Sequence, residues 1–164
     1  GAYDETLLAN EDYEFNARLR QAGGRVWLDA TICSTYYARS DLGALARQYW
    51  RYGFWKLRML QRYPATIRWR QALPPLFVLS LLVLGLLALL PLGRLHLFAG
   101  WLLLLEIALY GIIIFLTAIW QAIRRGDANL VLGFPLAVAT MHLSWGSGFL
   151  WSLCQLIFNL IRKK

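Results

Sequence analysis

The chain has 164 residues, a formal net charge of +8 and 59% hydrophobic residues, and its mean hydropathy is +0.46. That hydropathy excludes an ordinary soluble domain, and two distant cysteines exclude a disulfide framework or a cysteine-based metal site. Residues 1–71 hold eleven of the seventeen Lys and Arg and seven of the nine Asp and Glu, whereas the rest is mostly apolar. The sequence therefore predicts a polar part joined to a membrane part, with anionic lipid as its partner and no nucleic acid.

The first predicted element is a helix that begins after Asn10. Asn10 is a suitable N-cap, and the acidic pair that follows it suits the positive end of the helix dipole. The glycines at 23 and 24 predict the end of this helix, because glycine accepts the left-handed conformation there. Residues 25–37 are rich in β-branched and aromatic side chains, so we expect a strand after the helix.

The acidic pair consists of Glu11 and Asp12. Together with the arginines and glycines of residues 18–24, it resembles the "ED" region of family 2 glycosyltransferases with the GT-A fold. Residues 1–5 resemble the Gly-x-Phe-Asp-Glu turn that precedes this region in the family. The resemblance implies an α/β fold, in which residues 1–40 form the C-terminal part of a GT-A catalytic domain. It also implies that Asp12 is the general base for the acceptor hydroxyl, with Glu11 beside it. The alternative is that the pair only complements a helix N-terminus.

The same resemblance implies that the donor-binding half of the enzyme is missing and that the chain is a C-terminal fragment. That half would bind a nucleotide sugar, such as a UDP-sugar, together with Mg²⁺ or Mn²⁺. We therefore expect no metal site in this chain and no activity from the chain alone.

A second helix is predicted within the region 41–71. Asp41 is a plausible N-cap, and Pro64 is a stop because proline disfavours a helical residue before it. Arginines at 47, 51, 58 and 62 form one basic stripe, and aromatic residues are frequent between them. This pattern predicts an amphipathic helix in the membrane interface.

The motif Gln48-x-x-Arg51-Tyr52 lies on this helix. It resembles the Gln-x-x-Arg-Trp motif of membrane-bound family 2 enzymes, with Tyr52 in place of the tryptophan. The wider sequence 47–56 resembles the subfamily of succinoglycan-biosynthesis glycosyltransferases. The resemblance implies that Gln48, Arg51 and Tyr52, with Arg47, bind substrate. The alternative is an interfacial anchor whose arginines contact only lipid phosphates.

The region 72–164 is predicted to form transmembrane helices. Residues 73–92 and 97–120 are each long enough for one span. The run 130–161 would reach roughly 48 Å as a helix, against a hydrocarbon core of about 30 Å. Pro135 and the Gly-Ser-Gly cluster at 146–148 could break it, so we expect an interfacial or re-entrant segment and then a span. The glycines would also permit close helix approach.

Charge predicts the orientation of these spans. The positive-inside rule places residues 1–71 and the loop at Arg124 and Arg125 in the cytoplasm, with the Arg94 loop outside. The resemblance implies that the membrane is a bacterial inner membrane. Within the second span, Glu106 is an intramembrane carboxylate. It could pair with His142, contact a lipid-linked substrate, or form a structural hydrogen bond between helices.

Taken together, the resemblance implies a membrane-bound, inverting glycosyltransferase of bacterial exopolysaccharide or envelope synthesis. It would transfer a sugar from a nucleotide-sugar donor to a polyprenyl-diphosphate-linked saccharide. Two alternatives remain open. One is a processive polysaccharide synthase, which normally carries the tryptophan that Tyr52 replaces. The other is a non-enzymatic membrane anchor or transport module.

Overall fold

A computed structural model describes residues 3–4, 6–7, 9–66, 68–91 and 93–162 of the chain. Within these ranges the regular structure is helical. The elements in chain order are α1 Glu11–Gln21, α2 Leu42–Arg62, two 3-10 turns at Pro64–Thr66 and Trp69–Ala72, α3 Leu73–Leu89, α4 Arg94–Arg125 and α5 Leu130–Arg162.

The predicted α/β fold is wrong for the described residues, which contain no strand. Residues 25–37 have no regular structure, and Trp27 and Leu28 are 90% and 91% exposed. A strand needs the backbone of a neighbouring strand for its hydrogen bonds. The rest of the described chain offers helices instead, so high β-propensity alone does not produce a sheet. Three residues of the turn predicted at 1–5 lie outside the described residues.

The two ends of α1 differ in how well the sequence predicted them. Asn10 occupies the N-cap position but has a φ of 65° and no side-chain capping hydrogen bond, so its predicted capping role is wrong. Its Nδ2 instead donates to the carbonyl oxygen of Tyr52 at 3.2 Å. At the other end, Gly23 has a φ of +81°, and Gly24 N–H donates to Leu19 O at 2.9 Å. This Schellman arrangement confirms the predicted glycine stop.

Both predicted ends of α2 are confirmed. Asp41 Oδ1 accepts a hydrogen bond from Ala44 N–H at 2.7 Å, which is N-capping geometry. The helix ends at Arg62, two residues before Pro64. Its buried residues, Gly53, Lys56 and Met59, follow each other at intervals of three and so share one face.

Three helical segments are long and apolar enough to cross a membrane: Trp69–Leu89, Arg94–Arg125 and Leu130–Arg162. The two predicted spans are confirmed as candidates. The predicted break in the third run is wrong, since α5 is continuous through Pro135 and the glycine cluster. Proline removes one backbone donor, and a membrane helix tolerates that loss where its neighbours pack against it. Pro135 is buried.

Side chains along α3, α4 and α5 show how the three helices pack. The rings of Phe77 and Tyr110 stack at 4.3 Å, and Ser80 is hydrogen-bonded to Glu106, so α3 and α4 run antiparallel. Tyr110 also bonds His142 Nδ1 at 3.0 Å. Glu106 and His142 therefore have different partners and do not pair with each other. Of the three predicted alternatives for Glu106, the structure shows the hydrogen bond between helices.

Glycines hold α2 directly against α5. A Cβ at Gly53 would lie 2.0 Å from the carbonyl oxygen of Trp145, and a Cβ at Gly148 would lie 2.2 Å from that of Trp50. Gly146 faces the start of α3 in the same way, 2.5 Å from a backbone carbonyl oxygen. These distances confirm the predicted close approach of helices at the glycines. Because of this crossing, the first half of α2 and α5 lie beside the same cleft.

Candidate functional site

A cleft of about 840 Å³ lies between the start of α1 and the first half of α2. The structure brings all of the sequence-predicted site residues to its lining, although they come from segments about thirty residues apart. They are Glu11, Asp12, Arg47, Gln48, Arg51 and Tyr52.

The carboxylates of the cleft belong to the first turn of α1. Glu11 and Asp12 are both exposed, and within the described residues neither forms an ion pair. Asp12 Oδ1 accepts a hydrogen bond from Tyr13 N–H at 2.8 Å. The amide of Asn10 fixes this turn to the backbone of Tyr52 on α2. Asp12 is thus held at the cleft with its carboxylate open to a ligand.

The cationic side of the cleft is formed by arginines. Arg47 and Arg51 lie one turn apart on α2, and Arg39 joins them from the segment before that helix. Sequence reasoning missed Arg39, which belongs to none of the motifs. Guanidinium groups bind diphosphate oxygens through paired N–H donors. The cleft therefore combines a general-base candidate with a site suited to a diphosphate.

Gln48 has a network of partners within the protein. Its Oε1 accepts from Arg39 Nε at 2.8 Å, and its Nε2 donates to Tyr52 Oη at 2.7 Å. The Nε2 also reaches Tyr36 Oη at 3.5 Å. Since the amide is already engaged, we infer that Gln48 acts by positioning Arg39 and Tyr52.

Aromatic rings complete the cleft. Tyr49 and Tyr52 pack edge to face at 5.7 Å, and Trp145 approaches from α5. Burial raises the pKa of the Tyr49 phenol above its ordinary value of 10.0, with further contributions from the Tyr52 and Tyr36 phenols. Tyr49 is therefore a neutral hydroxyl near pH 7. Sequence reasoning did not assign a role in the site to Trp145, which comes from α5.

Two other arginines of α2 have partners away from this cleft. The Arg58 guanidinium lies over the rings of Phe54 and Trp55, at 4.7 and 5.0 Å from their centroids. Arg62 forms an ion pair with Asp4. The basic stripe seen in the sequence thus divides into a cleft-facing half and a structural half.

The described residues do not fit a divalent cation. Among them, no three His, Cys, Asp or Glu side chains lie close enough together to hold a metal ion. Glu11 and Asp12 are the only carboxylates among the described residues that line the cleft.

Comparisons with known proteins agree with the motifs. No known family profile matches the chain, and no solved structure matches it. The chain is 29% identical over 151 residues to the succinoglycan biosynthesis protein ExoA of Rhizobium meliloti (strain 1021). That alignment covers 91% of the chain and 42% of ExoA.

A second relative shares 31% identity over 86 residues. It is the dolichyl N-acetyl-alpha-D-glucosaminyl phosphate 3-beta-D-2,3-diacetamido-2,3-dideoxy-beta-D-glucuronosyltransferase of Methanococcus voltae, and the alignment covers 52% of the chain and 27% of that enzyme. The chain thus spans less than half the length of either relative. These similarities confirm the resemblance to glycosyltransferases of glycan synthesis.

Proposed function

We propose that this chain forms the acceptor-side and membrane part of a glycosyltransferase that moves a sugar from a nucleotide-sugar donor to a lipid-linked saccharide. One observation carries the proposal: six residues chosen from motifs line one cleft, with Asp12 on one helix and two arginines on the other. The two glycan-synthesis relatives support the same class of reaction.

The proposed step is a single displacement. The Asp12 carboxylate takes the proton of the acceptor hydroxyl while the acceptor oxygen bonds to the anomeric carbon of the donor sugar. The bond from that carbon to the donor diphosphate breaks, and the diphosphate leaves with the electron pair. Arg47 and Arg51 stabilise its charge. Tyr52 and Trp145 offer ring faces to the sugars, and the single displacement inverts the anomeric centre.

The acceptor is proposed to reach the cleft from the bilayer. Pro74, at the start of α3, packs against Gly146, one residue from the cleft-lining Trp145. A saccharide on a polyprenyl diphosphate could therefore keep its tail in lipid and its sugar beside Asp12. The proposed location is a bacterial inner membrane with the cleft on the cytoplasmic side, where nucleotide sugars are available. This orientation follows from the positive-inside rule.

The donor nucleotide and its Mg²⁺ or Mn²⁺ are proposed to bind mainly through residues other than those described. The 164-residue chain by itself should then bind UDP with Mn²⁺ more weakly than micromolar and transfer no sugar. Calorimetric titration of the purified chain in detergent tests this point, and micromolar binding would contradict it.

The decisive test of the chemistry is Asp12→Asn in the whole protein. The amide keeps the shape of the side chain but cannot accept the proton, so sugar transfer should fall by about 10²–10⁴-fold. Donor affinity should change little, because Asp12 acts on the acceptor. The assay measures transfer of labelled sugar from donor to membrane lipid, with nucleotide binding measured in parallel.

Glu11→Gln is the matched control, since it removes the neighbouring charge from the same helical turn. It should cost less activity than Asp12→Asn. Near wild-type transfer by Asp12→Asn would mean that the carboxylate only complements the helix N-terminus, and the catalytic assignment would fail.

A further inference from the structure

A second cavity, of about 380 Å³, lies beside the second half of α1. Tyr13 lines both spaces, so the two sites are adjacent. This volume falls within the range of roughly 300–1,000 Å³ that is usual for small-ligand sites. None of the six cleft residues predicted from the sequence lines it.

The polar lining of this cavity consists of cations and neutral polar groups. Arg20 comes from the last turn of α1, and Arg68 lies on the segment between the two 3-10 turns. Asn16 and Gln21 add side-chain amides, and Thr66 adds a hydroxyl whose proton is donated to Tyr63 O. No carboxylate is among the described lining residues. The two arginines form no ion pair within the described part of the chain.

A third cation lies behind the cavity wall. The Lys56 ammonium group is 4.0 Å from the centroid of the Tyr13 ring, and Lys56 is 3% exposed. The pKa of Lys56 is lowered to about 8 by burial, with a further contribution from the positive charge of Arg68. Glu14 of α1 is occupied by Arg18 and Tyr63. Among the described residues, the cavity lining therefore has two cations and no carboxylate.

The cavity also lies at the membrane boundary. Arg68 directly precedes Trp69, where the first candidate span begins, and Trp69 is 74% exposed. An anion bound here would sit at the level where lipid phosphates lie. The apolar helix that begins at Trp69 lies beside the cavity and could contact a lipid tail. A soluble phosphate has no tail, so this placement favours a lipid.

We propose that this cavity is a second ligand site, which binds the phosphate or diphosphate group of a membrane lipid between Arg20 and Arg68. The proposal does not depend on the transferase activity assigned to the cleft. The lipid could be a bulk anionic phospholipid or a polyprenyl diphosphate, and both present the same oxyanion chemistry to the two guanidinium groups.

The test titrates the purified protein in uncharged detergent, by calorimetry, with farnesyl diphosphate, with phosphatidylglycerol in mixed micelles, and with inorganic pyrophosphate. Arg20→Gln and Arg68→Gln should each weaken binding of the lipid probe by about tenfold, because each removes one charge-assisted contact. Arg70→Gln is the matched control: it removes the same charge two residues further along, outside the cavity lining. It should change the affinity less than twofold.

The outcomes distinguish a polyprenyl diphosphate from bulk phospholipid as the ligand, and the cavity from the cleft as the binding site. Stronger binding of farnesyl diphosphate than of phosphatidylglycerol would identify a polyprenyl diphosphate, and the reverse would identify bulk lipid. No binding of either lipid, or pyrophosphate binding as tight as farnesyl diphosphate, would overturn the proposal. An equal loss in Arg70→Gln would also overturn it, since only general surface charge would then matter. A loss confined to Arg51→Gln would place the lipid in the cleft and overturn the second site.

Discussion

Replacing Gly148 with alanine should separate α2 from α5. The new Cβ would lie 2.2 Å from Trp50 O, 3.0 Å from its carbonyl carbon and 3.1 Å from its Cα. Ordinary C···O contacts between helices are about 3.3–3.6 Å, so α2 must retreat by about 1 Å. The obstructing atoms belong to the backbone and cannot rotate away. Overpacking of this kind costs about 1–3 kcal/mol in the free energy of unfolding.

Gly111→Ala is the matched control for this change. It lies in the middle of α4, and a Cβ there meets nothing within 4 Å. Both substitutions gain the helix propensity of alanine, about 1 kcal/mol, so their difference isolates the clash. Far-UV circular dichroism during denaturation in detergent measures the unfolding midpoint of each variant. Equal midpoints for Gly148→Ala and Gly111→Ala would refute the close packing of α2 on α5.

The same substitution links packing to activity. The retreating helix carries Arg51 and Tyr52 away from Trp145 of α5, and a misplacement of about 1 Å can cost on the order of 10²-fold in rate. In the whole protein, Gly148→Ala should therefore lose transfer activity although no cleft residue has changed. Gly53→Ala, whose Cβ would lie 2.0 Å from Trp145 O, should behave alike. Full activity in both variants would contradict the role of this crossing in shaping the cleft.

Three further predictions concern the polar part of the chain. Below about pH 8, Lys56 is protonated in both the folded and the unfolded state. Between pH 8 and 10.5 it is deprotonated in the folded state but still protonated in the unfolded state, so the free energy of unfolding should rise with pH over this window. Lys56→Met should remove that rise and increase stability at pH 7 by up to about 3 kcal/mol, as measured by denaturation at several pH values. Asp41→Ala should lower stability by about 1 kcal/mol because α2 loses its N-cap, whereas Asp41→Asn keeps an acceptor and should stay within about 0.5 kcal/mol. Tyr63→Phe removes a donor from the buried carboxylate of Glu14, 2.8 Å away, and should cost about 1–3 kcal/mol in the same unfolding assay.

Each of these three has an outcome that contradicts it. A less stable Lys56→Met protein at pH 7 would mean that the contact with Tyr13 outweighs the cost of burying the charge. Equal stability of the Asp41 variants would mean that the helix begins without side-chain capping. An unchanged midpoint for Tyr63→Phe would mean that water replaces the phenol at Glu14.

The sequence by itself determined the features that depend on a few neighbouring residues. Gly23 ends α1 and Asp41 caps α2 because these contacts form within one turn of the chain. The candidate spans depend on length and apolar composition, which are also properties of a continuous segment. The motifs likewise selected residues that line one cleft, because their spacing on α1 and α2 keeps each group on one side of its helix.

The tertiary structure decided the features that need a distant partner. Residues 25–37 have the composition of a strand, but strand formation depends on a second strand, which the described chain does not provide. Likewise, the glycines at 146 and 148 are equally consistent with a break and with close packing. The backbones of Pro74 and Trp50 lie against them, and α5 continues as a helix because its neighbours fill the space that side chains would need.

The cleft shows the same division. Sequence could place Gln48 beside Arg51, but its partners Arg39 and Tyr36 come from an irregular segment whose path no periodicity predicts. Trp145 joins the cleft from about a hundred residues away only because α2 and α5 meet at their glycines. Local chemistry selects which side chains can act, whereas the packing of helices selects which of them meet, because contact energies depend on distance in space and not along the chain.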